Sequence, residues 1–270
     1  MVIRLNIFAY DFMIRAFAVA VLISVMMPMI GNIVVLRRLS SVGDALSHSG
    51  LAGVALGLCF GMSPVGAAVL FSVLSALLIE GLRRAFPRYG EIAPAVVLSL
   101  GVGVAAVASG FVKKSSDFNS FLFGSIVAVS NGEIIGVAVL GVVVVLMSLL
   151  LYRELFYVSF DEEGARIVGV PVRLVNFLFT IMTAVTVAVA SRTVGALVVS
   201  SMLVLPVACS MQYAKSYRQN LWLSVVFAIV FTVIGLFVSY YADLKPGGTI
   251  VLLGVAMLLV SLCVKRKGRR

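Results

Sequence analysis

The sequence predicts an all-α protein whose helices cross a membrane several times. Of its 270 residues, 62% are hydrophobic and only 12% are charged, and the mean hydropathy is +1.17. Soluble domains contain about 45–50% apolar and about 25% charged residues. Apolar runs of about 20 residues, the length that crosses a bilayer core of about 30 Å, recur along the whole chain. We therefore expect one transmembrane helical bundle of eight or nine spans over residues 1–270, without a separate soluble domain.

Nine apolar runs are predicted as spans. In chain order they are residues 13–36, 44–60, 64–82, 92–112, 134–151, 174–190, 194–211, 221–241 and 249–264. Only Ser191, Arg192 and Thr193 separate the sixth run from the seventh, so these two runs could also form one bent or re-entrant element, which lowers the number to eight. Residues 115–133 are too short and too polar to span, and we expect a half-helix or an interfacial loop there.

The distribution of lysine and arginine predicts the orientation of the bundle. With nine spans, one side of the membrane carries 15 basic residues and the other side carries 6. Cytoplasmic loops are enriched in lysine and arginine, so the richer side is assigned to the cytoplasm. The N-terminus is then outside and the C-terminal tail inside, whereas eight spans would put both inside. Because the net charge of +10 sits at the ends of apolar runs, it does not indicate a nucleic-acid partner.

Asp44 and His48 are ionisable residues inside an apolar segment, and His48 is the only histidine of the chain. Their i, i+4 spacing puts both side chains on one helix face. Counted from Arg38 as the inner interface, His48 lies ten residues along the chain, which is about 15 Å or half of the hydrocarbon thickness. A charge at the centre of a membrane helix costs about 2.5–3.5 kcal/mol, and such residues usually face a bundle interior or a water-filled path.

The chemistry of this pair predicts a metal site. Imidazole and carboxylate bind zinc and similar divalent metals, and Asp44 can pair with the imidazole when no metal is present. Two ligands are fewer than the four of a closed zinc site, so water, another span or a symmetry-related copy must supply the rest, which suits a site that releases its ion. Alternatively, Asp44 only caps the second helix and His48 is a hydrogen-bonded histidine of the bundle.

Behind the pair, glycines recur at a spacing that favours close helix packing. They are Gly50, Gly53, Gly57 and Gly61, and the last three form two GxxxG motifs. Small residues let the backbones of membrane helices approach closely. The second span is therefore expected to be central and tightly packed.

The connection after the fifth span, residues 159–171, predicts a short cytoplasmic helix that contacts another protein. Acidic residues at its start complement the positive end of the helix dipole, and Gly169 followed by Pro171 ends it. The residues expected to take part are Asp161, Glu162, Glu163, Ala165, Arg166 and Gly169. The alternative is a solvated loop that only connects two spans.

Several segments together resemble the permease subunits of bacterial ABC importers for zinc and manganese. They are LSSVGDALSHSGLAGVALG (39–57), FLFGSIVAVS (121–130), FDEEGARIVGV (160–170), VGALVVSSMLVLPVA (194–208) and YYADLKPGGTIV (240–251). The resemblance implies a homodimer in the bacterial cell membrane, a cytoplasmic ATP-binding subunit and an extracytoplasmic metal-binding protein. It also implies that Asp44 and His48 are a polar pair of the transport path and that residues 161–170 are the coupling helix.

The expected function is thus a transport subunit and not an enzyme, with no permanently bound cofactor. The chain lacks a GxxxxGK[ST] phosphate loop, so ATP hydrolysis is expected on a partner. Imidazole suits zinc, whereas carboxylate and water suit manganese, and the family likeness favours zinc slightly. Three alternatives stay open: a proton-coupled secondary metal transporter, an intramembrane enzyme, for which one histidine leaves too few groups, and a membrane scaffold that transports nothing.

Overall fold

The computed structural model describes residues 10–86, 89–112, 124 and 129–267. Within these residues the chain forms eleven helices and no strand. In order they are α1 (Asp11–Leu36), α2 (Val42–Phe60), α3 (Pro64–Ala85), α4 (Ile92–Ser109), α5 (Asn131–Leu150), α6 (Tyr152–Phe160), α7 (Glu162–Ile167), α8 (Val172–Val194), α9 (Ala196–Ser210), α10 (Tyr217–Ala242) and α11 (Pro246–Lys267).

Eight of these helices are long and apolar enough to cross a membrane, namely α1 to α5, α8, α10 and α11. The predicted all-α bundle of eight or nine spans is therefore confirmed. Helix α9 is apolar but has only 15 residues. The short helices α6 and α7 lie between α5 and α8, where the sequence predicts the cytoplasmic connection.

The α8–α9 junction decides between eight and nine crossings. Gly195 joins the two helices with φ 95° and ψ 145°, a conformation that side chains on Cβ disfavour. The predicted separator is wrong in its position, because Ser191, Arg192 and Thr193 belong to the last turns of α8. A loop is unnecessary here, since one glycine can reverse the chain.

Contacts at both ends of α9 show that it returns through the bundle. Near its start, Val198 lies so close to Gly247 of α11 that a Cβ on the glycine would be 2.7 Å from Val198 Cγ2. Just beyond its end, Gln212 Oε1 lies 3.5 Å from Lys265 Nζ, near the other end of α11. Helix α9 thus runs beside α11 along the bundle, which predicts a ninth crossing.

Most of the segment 115–133, predicted as a half-helix or interfacial loop, lies outside the described residues. Glu133 already belongs to the first turn of α5, where its carboxylate accepts hydrogen bonds from Ser130 and the Ser130 hydroxyl accepts one from the Glu133 amide. Glu133 also accepts a hydrogen bond from Arg192 of α8 at 3.0 Å. The start of α5 and the end of α8 are therefore joined by an ion pair at the end of the bundle opposite the arginine-rich one.

A buried polar network holds α1, α9 and α10 together. The Asn32 amide donates to the Pro28 carbonyl at 2.8 Å and to the Ser224 hydroxyl at 2.6 Å. Its oxygen accepts from Asn220, whose own oxygen accepts from Ser210. Both amide groups are thus supplied with partners inside an apolar environment, where an unpaired polar group is costly.

The glycines of α2 differ in what they do. A Cβ on Gly53 would lie 2.5 Å from the Ala67 carbonyl oxygen, and one on Gly57 would lie 2.8 Å from Ala67 Cβ. Gly50 similarly lies against Ser72, so all three glycines face α3. Gly61 does not fit the packing prediction, because a Cβ there would meet nothing within 4 Å. It instead ends α2 in the left-handed conformation, with φ 68°.

The packing of α2 on α3 predicts that Gly53→Ala destabilises the bundle. The added methyl group must displace the α3 backbone, and such overpacking costs about 1–3 kcal/mol. Thermal unfolding of the purified protein in detergent measures the effect. Gly136→Ala is the matched control, because a Cβ there meets nothing within 4 Å. Equal unfolding temperatures for the two variants would contradict the packing contact.

Nine crossings predict that Met62 and Leu244 lie on the same side of the membrane. Both side chains are exposed in connections between spans. In a cysteine-free background, a membrane-impermeant maleimide added to intact cells should label Met62→Cys and Leu244→Cys alike, and should not label Ser216→Cys at the start of α10. Labelling of only one of the first two would indicate that α8 and α9 make a single crossing.

Candidate metal path and coupling segment

Helix α2 positions the predicted pair, and its start excludes the capping explanation for Asp44. The helix begins at Val42, and the N-cap residue Ser41 makes no side-chain capping hydrogen bond. Asp44 is thus the third residue of the helix, where a carboxylate is still favoured by the helix dipole. Its Oδ1 accepts a hydrogen bond from the Ser200 hydroxyl of α9 at 2.5 Å. The carboxylate therefore links two spans.

His48 lies halfway along the helices that surround it. Gly101 packs directly on the α2 backbone at this level, since a Cβ there would be 3.1 Å from the His48 carbonyl carbon and 2.9 Å from the Ser49 nitrogen. Gly101 is the tenth of the 18 residues of α4. The nearby Ser72, which donates to the Leu46 carbonyl, is the ninth of the 22 residues of α3. These neighbours place the imidazole in the middle of the bundle.

Asp44 and His48 are the residues of α2 that the surrounding helices leave partly uncovered. From Val42 to Ala55, all the remaining residues of the helix are buried, whereas these two are half-buried. Gly101 of α4 borders the pair on one side, and Ser200 of α9 borders it on the other. Along this stretch, Asp44 and His48 are therefore the positions of α2 that the surrounding helices cover least.

The structure brings a hydroxyl to the pair that sequence reasoning missed. Asp44 bonds to Ser200 and not to His48, so the expected pairing of carboxylate and imidazole is wrong for this structure. The sequence signal is the adjacent Ser200 and Ser201 in the largely apolar helix α9. Among the described residues, no group of three or more His, Cys, Asp and Glu side chains is placed to hold a metal. One chain thus offers two strong ligands and a neighbouring hydroxyl.

The predicted coupling residues form the short helix α7. Asp161 caps it, since Asp161 Oδ1 accepts from the Gly164 amide at 2.9 Å. Arg166 and Glu162 pair along its surface at 2.7 Å, and Ala165 is the residue that it buries. Gly169 follows with φ 90°. Glu163 and the apolar Ile167 and Val168, which are 86% and 74% exposed, point away from the bundle.

A bundle of spanning helices with a polar pair at mid-depth and a short exposed helix between two spans is typical of membrane transport proteins. Residues 9–265 match the ABC 3 transport family, and the chain belongs to this family. It is 36% identical over 262 residues to the "Probable metal transport system membrane protein" of Treponema pallidum, covering 96% of this chain and 98% of the relative. It is 29% identical to the manganese import system permease protein ScaB of Streptococcus parasanguinis, covering 97% of this chain and 93% of the relative.

A solved structure has the same fold. The chain is similar to PsaBC from Streptococcus pneumoniae in complex with Fab, with a TM-score of 0.83, 28% identity and coverage of 93% of this chain and 91% of the other. The resemblance found in the sequence is thus confirmed: the chain is a metal-ion ABC importer permease and a multi-pass bacterial membrane protein. It is a transport subunit, and the proton-coupled alternative is not favoured. The slight preference for zinc finds no support in these names.

The Ser200 contact predicts that Ser200→Ala destabilises the protein. The substitution removes the hydroxyl that donates to a carboxylate in a spanning helix, which costs about 1–2 kcal/mol for a half-buried acceptor. Ser201→Ala is the control, because this neighbouring hydroxyl does not bond to Asp44. Thermal unfolding in detergent compares the two, and a larger loss for Ser201→Ala would contradict the assigned contact.

Proposed function

We propose that this chain forms the pathway of an ATP-driven manganese importer and that the ion pauses at Asp44 and His48. The observation that carries the proposal is the half-buried pair on an otherwise buried stretch of α2. Ionisable groups inside a membrane bundle are costly and usually face a pathway. A divalent cation passing between α4 and α9 would meet a carboxylate, an imidazole and a hydroxyl in one place.

The choice of manganese over zinc rests on donor chemistry and on the relatives. Carboxylate, hydroxyl and water oxygens suit manganese as ligands, whereas an imidazole nitrogen suits zinc. The pair with Ser200 offers more oxygen than nitrogen donors, and the ScaB relative is named as a manganese permease. Zinc is the second candidate, because His48 is a good zinc ligand.

The incomplete ligand set supports a homodimer. Two strong ligands are fewer than a bound divalent ion needs, and both side chains are half-buried in the single chain. A second copy that packs on the same face of α2 and α4 would add its own Asp44 and His48 to the ligand set and would cover the pair that is half-buried in the single chain. This arrangement would hold an ion without enclosing it permanently, which an alternating-access path requires.

The proposal requires two further partners. A cytoplasmic ATP-binding subunit would dock on α7, where Ile167 and Val168 offer exposed apolar side chains beside charged ones. An extracytoplasmic metal-binding protein would deliver the ion to the opposite end of the bundle. ATP-driven movement of α7 would then rock the spans and open the pair to each side in turn.

Transport by the purified complex tests this function. Liposomes that contain the permease with its ATP-binding subunit, supplied with the metal-binding protein and radiolabelled manganese, should accumulate the ion only with ATP. His48→Ala should lower uptake at least about tenfold, because metal sites lose this much on ligand changes. Leu56→Ala, at another half-buried position of α2, is the control and should transport normally.

Each contrary result has a distinct meaning. Normal uptake by His48→Ala would refute the path through the pair. Uptake driven by a proton gradient without ATP would refute the ATP-driven mechanism. Faster transport of zinc than of manganese under equal conditions would overturn the choice of metal and leave the path intact.

A further inference from the structure

Arg37 is a buried cation at the arginine-rich end of the bundle. It follows directly after α1, and its side chain is only 8% exposed. The next residue, Arg38, is exposed, as expected for a basic residue at the end of a span. Burial lowers the pKa of the Arg37 guanidinium from its ordinary value; Arg83 adds to this effect, and Glu162 and Glu80 oppose it. Arginine stays charged in proteins, so this buried charge depends on its partners.

The partners of Arg37 come from different parts of the chain. Its Nη2 donates to Asn176 Oδ1 of α8 at 2.7 Å, and Asn176 is itself buried. The same nitrogen lies 3.7 Å from Glu162 Oε2, in the first turn of α7. The second carboxylate oxygen of Glu162 pairs with Arg166. Arg37 therefore joins the end of α1 to both α7 and α8.

For α7, this contact is the charged connection to the spanning helices. Among the described residues, its other polar side-chain bonds are internal, from Asp161 to Gly164 and from Arg166 to Glu162. Its buried surface is provided by Ala165 alone. An external push on α7 reaches the bundle through the chain segments that flank α7 and through the contacts that α7 makes with other helices. The Glu162–Arg37 ion pair, with 3.7 Å between Glu162 Oε2 and Arg37 Nη2, joins α7 to the end of α1.

From Arg37, a tightly bonded turn leads to the metal pair. The Leu39 amide donates to the Val34 carbonyl, and the Val42 amide donates to the Leu39 carbonyl, each at 2.9 Å. The turn is thus anchored on α1 at one end and begins α2 at the other. Asp44 lies two residues beyond Val42. A displacement of Arg37 would therefore reach the first turn of α2 without passing through a flexible loop.

A small cavity lies beside this connection. It measures about 30 Å³, and Arg37, Glu80, Arg83 and Leu46 are among its lining residues. A void of this size has room for about one water molecule, so the packing between Arg37 and α2 is not fully closed at this point. The cavity lies between the charged side chains at this end of the bundle and the first turns of α2, which contribute Val42 and Leu46 to its lining.

We propose that Arg37 is a positioning residue that transmits movement of α7 to the metal path. The proposal rests on the proposed function, since it requires a partner that moves α7. The ion pair with Glu162 receives the displacement, the bond to Asn176 carries it to α8, and the turn to α2 carries it to Asp44. Loss of the pair should uncouple ATP hydrolysis from transport and leave the metal site itself unchanged.

The test measures the number of ATP molecules hydrolysed per metal ion transported by the complete complex in liposomes. Arg37→Gln should raise this ratio at least about fivefold, the lower end of typical coupling between distant sites. Glu162→Gln should raise it in the same direction, and the double variant should be no worse than Arg37→Gln alone, because both changes remove one interaction. Arg38→Gln removes the same charge from the exposed neighbour and should keep the original ratio.

The ratio of ATP hydrolysed to metal transported separates the two possible roles of Arg37. A merely structural role would lower the amount of active complex and leave this ratio unchanged. An unchanged ratio in Arg37→Gln would overturn the proposal. If Arg37→Gln does not fold, Glu162→Gln decides the question, since its side chain is 37% exposed and tolerates substitution; an unchanged ratio there would equally overturn it. Absence of ATP-dependent transport in the unsubstituted complex would instead refute the proposed function.

Discussion

The constraint on which this structure depends is the cost of polar groups inside an apolar bundle. Where no water is available, each buried polar group needs a partner from the protein. The bundle meets this need in two different ways. The Asn32 amide nitrogen donates hydrogen bonds to α1 and α10, and its oxygen accepts one from α10. The Asp44 carboxylate, in contrast, accepts one hydrogen bond from a hydroxyl and stays half-buried.

This difference separates structure from function within one membrane domain. The network around Asn32 joins three spans, because each of its amide and hydroxyl groups has a partner on a neighbouring side chain or backbone carbonyl. In the proposed function, the half-buried Asp44 and His48 keep ligand capacity for the transported ion. A divalent cation suits this remaining capacity, since it is attracted by the carboxylate and coordinated by the imidazole.

The buried Arg37 at the arginine-rich end of the bundle also needs partners from the protein. Arg37 is buried like Asn32, yet one of its two partners belongs to a surface helix that carries exposed apolar side chains. A buried charge that depends on a surface element is sensitive to where that element lies. The fold therefore places a buried cation where an outside partner can act on it, and a short turn connects this point to the start of α2.

The sequence by itself determined the spans, the mid-depth position of His48, the shared face of the polar pair and the short helix after α5, because hydropathy, spacing and caps are local properties. It also carried the family resemblance. Tertiary structure decided what local patterns do not contain: that Gly195 reverses the chain, that Gly61 ends α2 instead of packing, that Ser200 and not His48 bonds to Asp44, and that Arg37 but not Arg38 is buried. These outcomes depend on contacts between residues up to 156 positions apart, such as Asp44 and Ser200, and only the folded chain brings such residues together.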